Sequence, residues 1–163
     1  MKPRIAVLLM LGLIPLAELH AQSQSVSTTF RVSARVEAVC EVTASDLSFG
    51  TYTAQGGTPL QGTTLLRATC TPGSSYNVGL NEGTSPGATV NQRKMVSGTQ
   101  ALNYQLYSDS ARSKIWGNTT GTDTVTGVGT GLAQDHTVFG GVPAAQVVPA
   151  GDYQDTITVR VYY

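Results

Sequence analysis

Val26-Ser27-Thr28-Thr29-Phe30-Arg31-Val32-Ser33-Ala34-Arg35-Val36-Glu37 carries the clearest pattern in the chain. Val26, Thr28, Phe30, Val32, Ala34 and Val36 fall on one face, and Ser27, Thr29, Arg31, Ser33, Arg35 and Glu37 on the other. A period of two belongs to a β-strand, whose side chains point alternately to opposite sides. The stretch is longer than the usual strand of about 5–6 residues. It is expected to be either one long edge strand or two functional pieces in tandem.

On its amino side, Met1-Lys2-Pro3-Arg4 is a short positive start, residues 5–16 are almost unbroken apolar, and Ala21 precedes a polar Ser/Gln stretch. These are the three parts of a secretory signal peptide. The apolar run is shorter than the roughly 20 residues that cross a bilayer. Cleavage is expected after Ala21. Removing Lys2, Arg4 and Glu18 leaves eight basic and nine acidic residues, a formal charge of −1. No basic patch offers itself to nucleic acid or anionic lipid. Charged residues make up only 12% of the chain, glycines number 18, and Thr and Ser are frequent, which favours a β protein with many turns.

On its carboxyl side, strand signals recur between Gly, Pro, Asn, Asp and Ser clusters, and no segment holds a helical period. Leu47 to Tyr52 alternates around Gly50. Residues 63–70 are β-branched and apolar. Tyr76, Val78 and Leu80 alternate, as do Leu102, Tyr104 and Leu106. Residues 91–96 are ambiguous, and Arg93 and Lys94 read as a solvated loop. Residues 118–132 read as mostly loop, and residues 136–139 as a short strand. The last strand alternates Ile157, Val159, Val161 and Tyr163 with Thr156, Thr158, Arg160 and Tyr162. About seven short strands predict an all-β, immunoglobulin-like antiparallel sandwich. It is not of the antibody kind, because Trp116 follows both cysteines.

The two cysteines, Cys40 and Cys70, read as a disulfide in an exported chain. Their spacing is not C-x-x-C and no histidine lies near either, so a metal or redox pair is disfavoured. Both ends of the mature chain are strands with one apolar face. Such a face is hidden either by folding back beside the last strand or by completing a neighbour's sheet. Periodicity alone leaves both open.

The ordered motifs bear on that choice. They begin with Phe30-x-Val32-x-Ala34-x-Val36 before Cys40, Leu47-x-Phe49-Gly50-x-Tyr52 and Cys70-Thr71-x-Gly73. Tyr76-x-Val78-x-Leu80-x-x-Gly83, Tyr104-x-Leu106-Tyr107-x-Asp109-x-Ala111-Arg112 and Trp116-Gly117 follow. Gly127-x-Gly129-x-Gly131, Val138-Phe139-Gly140 and Gln146-x-x-Pro149-x-Gly151-x-Tyr153-x-Asp155-Thr156 complete the series. In this order they resemble the spore coat protein U domain family, which includes the archaic Csu-type chaperone–usher pilins. The resemblance spans residues 30–163.

It implies an incomplete sandwich that lacks its last strand and is completed by donor-strand complementation. Residues 1–21 would be the signal peptide, 22–36 the donor segment and 37–163 the domain. Val26, Thr28, Phe30 and Val32 would be donor side chains, and Ile157, Val159, Val161 and Tyr163 would line the acceptor groove. The implied partners are other copies of the chain or related pilins, a periplasmic chaperone and an outer-membrane usher. The implied destination is a fibre on the cell surface, reached through the periplasm, that supports adhesion and biofilm formation. A carboxylate at Tyr163 would suit a basic anchor on the chaperone.

No catalytic constellation, cofactor site or metal site emerges, and the chain is not expected to be an enzyme or to take a small-molecule substrate. His136 reads as a strand or turn residue. The scattered aspartates read as turn residues that bond their own backbone. Gly127-Val128-Gly129-Thr130-Gly131 lacks the flanking strand, helix and Lys-Ser/Thr of a phosphate loop. Two other readings stand beside the pilin: a secreted spore-coat or matrix protein with a closed sandwich, and a small carbohydrate-binding module using Trp116 and Tyr107. The two aromatics read more naturally as packing residues.

Overall fold

The computed structural model describes residues 23–54 and 57–163; the expected signal peptide, residues 1–21, lies outside them. Residues 36–163 form one compact unit, and the described residues 23–35 belong to a separate one. The described chain contains strands and no helix.

Eight strands run in the order β1 (Cys40–Ala44), β2 (Leu60–Cys70), β3 (Ser75–Leu80), β4 (Arg93–Ser97), β5 (Gln100–Tyr107), β6 (Val125–Val128), β7 (Ala133–Val142) and β8 (Val159–Tyr162). Five make one sheet in the order β1-β2-β7-β5-β4, and three make the other in the order β6-β3-β8. Every ladder between them is antiparallel. The inner faces follow the period-two pattern. Leu66, Ala68 and Cys70 of β2 are buried, as are Tyr76, Val78 and Leu80 of β3, Leu102, Tyr104 and Leu106 of β5, and Val138 and Val142 of β7. Trp116, from the turn after β5, fills the space between the sheets and donates its Nε1–H to the Val78 carbonyl at 2.8 Å.

The disulfide joins β1 to β2, where Cys40 and Cys70 stand directly opposite each other with Cα atoms 4.1 Å apart.

Several sequence expectations change. β1 was not foreseen. β6 lies inside the stretch read as loop, β4 resolves the ambiguous residues 91–96, and β7 is longer than the expected 136–139. Residues 47–52 alternate as expected but join no ladder. Their alternation serves packing instead: Leu47 and Phe49 turn inward onto β2 and β7 at the paired glycines Gly62 and Gly140. A Cβ on Gly62 would come within 2.9 Å of Leu47, and one on Gly140 within 2.7 Å of both Leu47 and Phe49. The bare glycine pair is the notch into which this strap settles.

An acceptor-like cleft beside the last strand

β8 pairs with β3 along one side only; its other side has no ladder partner among the described residues. Just before β8 the chain crosses from one sheet to the other. Gln154 exchanges both main-chain bonds with Val96 of β4, at 2.8 and 3.0 Å. Four residues later the Thr158 carbonyl accepts the Asn81 N–H at 3.1 Å, and the Thr158 N–H donates to Asn81 Oδ1 at 2.7 Å. Along this crossing Tyr153, Asp155, Ile157, Val159 and Val161 point inward, while Gln154, Thr156, Thr158 and Arg160 face solvent.

The crossing segment forms one wall of an open cleft with an apolar floor and a mixed rim, and residues 44–54, which include the strap, form the other. The first reach, about 490 Å³, lies between residues 44–49 and 153–159, over Leu66, Leu80, Leu106 and Val138. The second, about 720 Å³, lies between residues 47–54 and 148–154, over Leu60, Leu102 and Val142. Leu47, Phe49, Met95, Tyr153 and Gln154 belong to both, so the reaches are continuous. A two-sheet sandwich normally closes such a gap with a strand. Here the gap stays open beside a strand with no ladder partner on its second side among the described residues, the geometry that accepts an added strand.

Two charged residues belong to the surroundings of the cleft, one lining it and one buried away from it. Arg93 is 0% exposed. Its guanidinium donates to the carbonyls of Leu80, Asn81, Trp116 and Val90 and to Gln105 Oε1, at 2.7–3.3 Å. Burial pulls its pKa below the ordinary value. The expectation of a solvated loop at this position is therefore corrected: Arg93 begins β4 and ties together the segments around β3, β5 and Trp116.

Asp155 lines the cleft and accepts bonds from Thr84 N at 2.9 Å, Thr84 Oγ1 at 3.1 Å and the Tyr104 hydroxyl at 2.7 Å. Its carboxylate lies against Gly83, whose φ of +93° and missing Cβ admit it. Burial, and then the bond to Asp155, push the Tyr104 hydroxyl far above its ordinary range. In sequence Asp155 reads as a turn residue, and its place on the cleft is not apparent there. Gly83 and Asp155 both stood in the ordered motifs, but nothing in the sequence tied one to the other.

The expected site residues fall as follows. Ile157 and Val159 line the cleft, and Val161 packs against the core beyond it. Tyr163 is 61% exposed and lines neither reach. Val26, Thr28, Phe30 and Val32 are exposed, Phe30 at 85%, in a segment with no assigned strand. Trp116 is 1% exposed and presents no face to a sugar. The Tyr76 hydroxyl and His136 Nε2 lie 2.9 Å apart between the sheets. No three potential metal ligands gather among the described residues.

Residues 26–160 match the family model of the Spore Coat Protein U domain. This chain belongs to that family. Within the family it is similar to "Protein U" of Myxococcus xanthus, with 33% identity over 158 residues, covering 88% of each chain. Among solved structures, one chain of the CsuC–CsuE chaperone–tip adhesion subunit pre-assembly complex, from the archaic chaperone–usher Csu pili of Acinetobacter baumannii, resembles it with a TM-score of 0.57 and 29% identity. That match covers 78% of this chain and 40% of the other, so it takes in less than half of its structural relative. The sandwich is immunoglobulin-like, and the family model runs from the exposed segment at Val26 into the first two residues of β8.

Proposed function

We propose that this chain is a structural, non-enzymatic subunit of a surface pilus assembled by the chaperone–usher route. The observation that carries the reading is the continuous, apolar-floored cleft beside β8, whose second side has no ladder partner among the described residues. In this reading a periplasmic chaperone fills the cleft first. At an outer-membrane usher, the segment around Val26, Thr28, Phe30 and Val32 of the next subunit then replaces it. Ile157 and Val159 receive the strand, with Val161 and Tyr163 at the far end of the last strand. The resemblance to a chain of a chaperone–subunit complex supports such partners. Export by a leader at residues 1–21, arrival at the cell surface through the periplasm, and a part in adhesion and biofilm formation follow from the same reading.

Head-to-tail strand addition does not close on itself and grows a fibre. A strand-completed fibre resists cold detergent, because each core includes a neighbour's strand. Surface fractions run unboiled on a denaturing gel should give a ladder that collapses on boiling, and deletion of residues 25–32 should abolish it. A deletion chain that still ladders sinks the reading. The similarity to Protein U and the family's spore-coat name favour one second reading, a coat protein with a closed sandwich. That reading calls for a stable monomer without a chaperone.

A further inference from the structure

The charged residues lining the cleft are Asp46, Asp152 and Asp155, all acidic. Asp155 is engaged by Thr84 and Tyr104. Asp46 and Asp152 are exposed and stand at different stations, Asp46 on the first reach and Asp152 on the second. The segment at residues 23–35 has the opposite sign: it holds Arg31 and Arg35 and no acidic residue, whereas residues 36–163 hold six basic and nine acidic residues. Both arginines fall on the polar face of the alternation, four residues apart, or roughly 13 Å along an extended chain. When the apolar face of such a strand lies in the cleft, its polar face looks out along the rim. Long arginine side chains can lean their stems on apolar surface while the guanidinium reaches a rim carboxylate.

We infer that Arg31 and Arg35 of one copy pair with Asp46 and Asp152 of the copy whose cleft receives them, so that charge sets both the register and the speed of subunit docking. The inference rests on the donor-strand reading above. A slip of one residue would turn the arginines into the apolar cleft, so the charges and the apolar alternation select the same register. Complementary charge at a cleft raises association rates by roughly ten- to a thousandfold, whereas like charges juxtaposed oppose docking.

The test uses full-length chains in cells that export and assemble them, with the detergent-resistant ladder as readout. Arg31→Glu with Arg35→Glu, and Asp46→Lys with Asp152→Lys, are each expected to cut the ladder about tenfold or more. One chain carrying all four changes is expected to recover to within about twofold of the wild type, a rescue that a merely damaged fold does not give. All four side chains are exposed, and thiol labelling of Cys40 and Cys70 reports on folding in each variant. Wild-type ladders from both double variants overturn the inference, as does a fourfold variant as poor as the doubles. Failure of the underlying reading looks different: the chain lacking residues 25–32 then ladders as the wild type does, whatever the charge variants do.

Discussion

At Arg93 the cost of burying a charge is met chiefly by hydrogen-bond geometry, with a smaller coulombic pull from Asp123, Asp155 and Glu82. Five donor–acceptor contacts spread the guanidinium over four carbonyls and one amide oxygen. A planar fork can do this and a single ammonium cannot. Arg93→Met should therefore cost at least about 3 kcal/mol, because several buried acceptors lose their donor at once. Arg93→Lys should recover little of it; urea denaturation reads both. His136 makes a second residue-scale expectation. Burial holds its pKa below the ordinary value, against a smaller opposing pull from Asp135. The folded chain thus resists the proton that the unfolded chain takes up near pH 6.5. Stability should be full above that pH and decline as pH falls below it, and His136→Asn should flatten this limb. Asp135, held below the usual carboxylate range by its bond to Arg67, and Asp109, held low by the Lys114 N–H, act in a separate window, losing their contribution below about pH 4. Melting temperatures between pH 7.5 and 5 isolate the histidine.

At the scale of elements, period two was legible in β3, β5 and β8, whose inward faces meet the core, while β2 was legible as a β-branched and apolar run. It was not sufficient to say which extended segments pair. Residues 47–52 alternate as cleanly as a strand, yet their partner is a glycine notch and not a ladder. β6 went unread because its burial alternates only weakly among Thr and Gly. β1 went unread because its short Cys-Glu-Val-Thr-Ala run carries just two inward positions. Of the cleft, periodicity put Ile157 and Val159 on one apolar face, and the family resemblance placed that face in a groove. The strap wall, the Arg93 hub and Asp155 depend on contacts between residues far apart in sequence, which no local pattern encodes. The disulfide holds this weakly marked β1 in place. It closes a loop with a sequence separation of 30 residues, so Cys40→Ser with Cys70→Ser should cost about 3–4 kcal/mol in the chain-entropy view. The midpoint of denaturant unfolding, compared with the oxidised wild type, checks it.

For the molecule as a whole, the open cleft means that apolar surface is left for another strand to cover. A synthetic peptide of residues 23–35 should then raise the melting temperature of the full-length chain in proportion to the logarithm of its concentration. At a hundredfold excess over Kd the gain is about 2.7 kcal/mol; a flat response would mean that the cleft does not take this segment. The position of the disulfide has one more consequence, and it is mechanical. β1 is an edge strand, and its first residue is Cys40. Tension applied to the chain ahead of Cys40 would, without the sulfur bridge, peel β1 from β2 one hydrogen bond at a time. With the bridge, the pull passes covalently to Cys70 and into β2. That strand is hydrogen-bonded to β7 over ten consecutive residue pairs, so they resist in shear and together rather than in sequence.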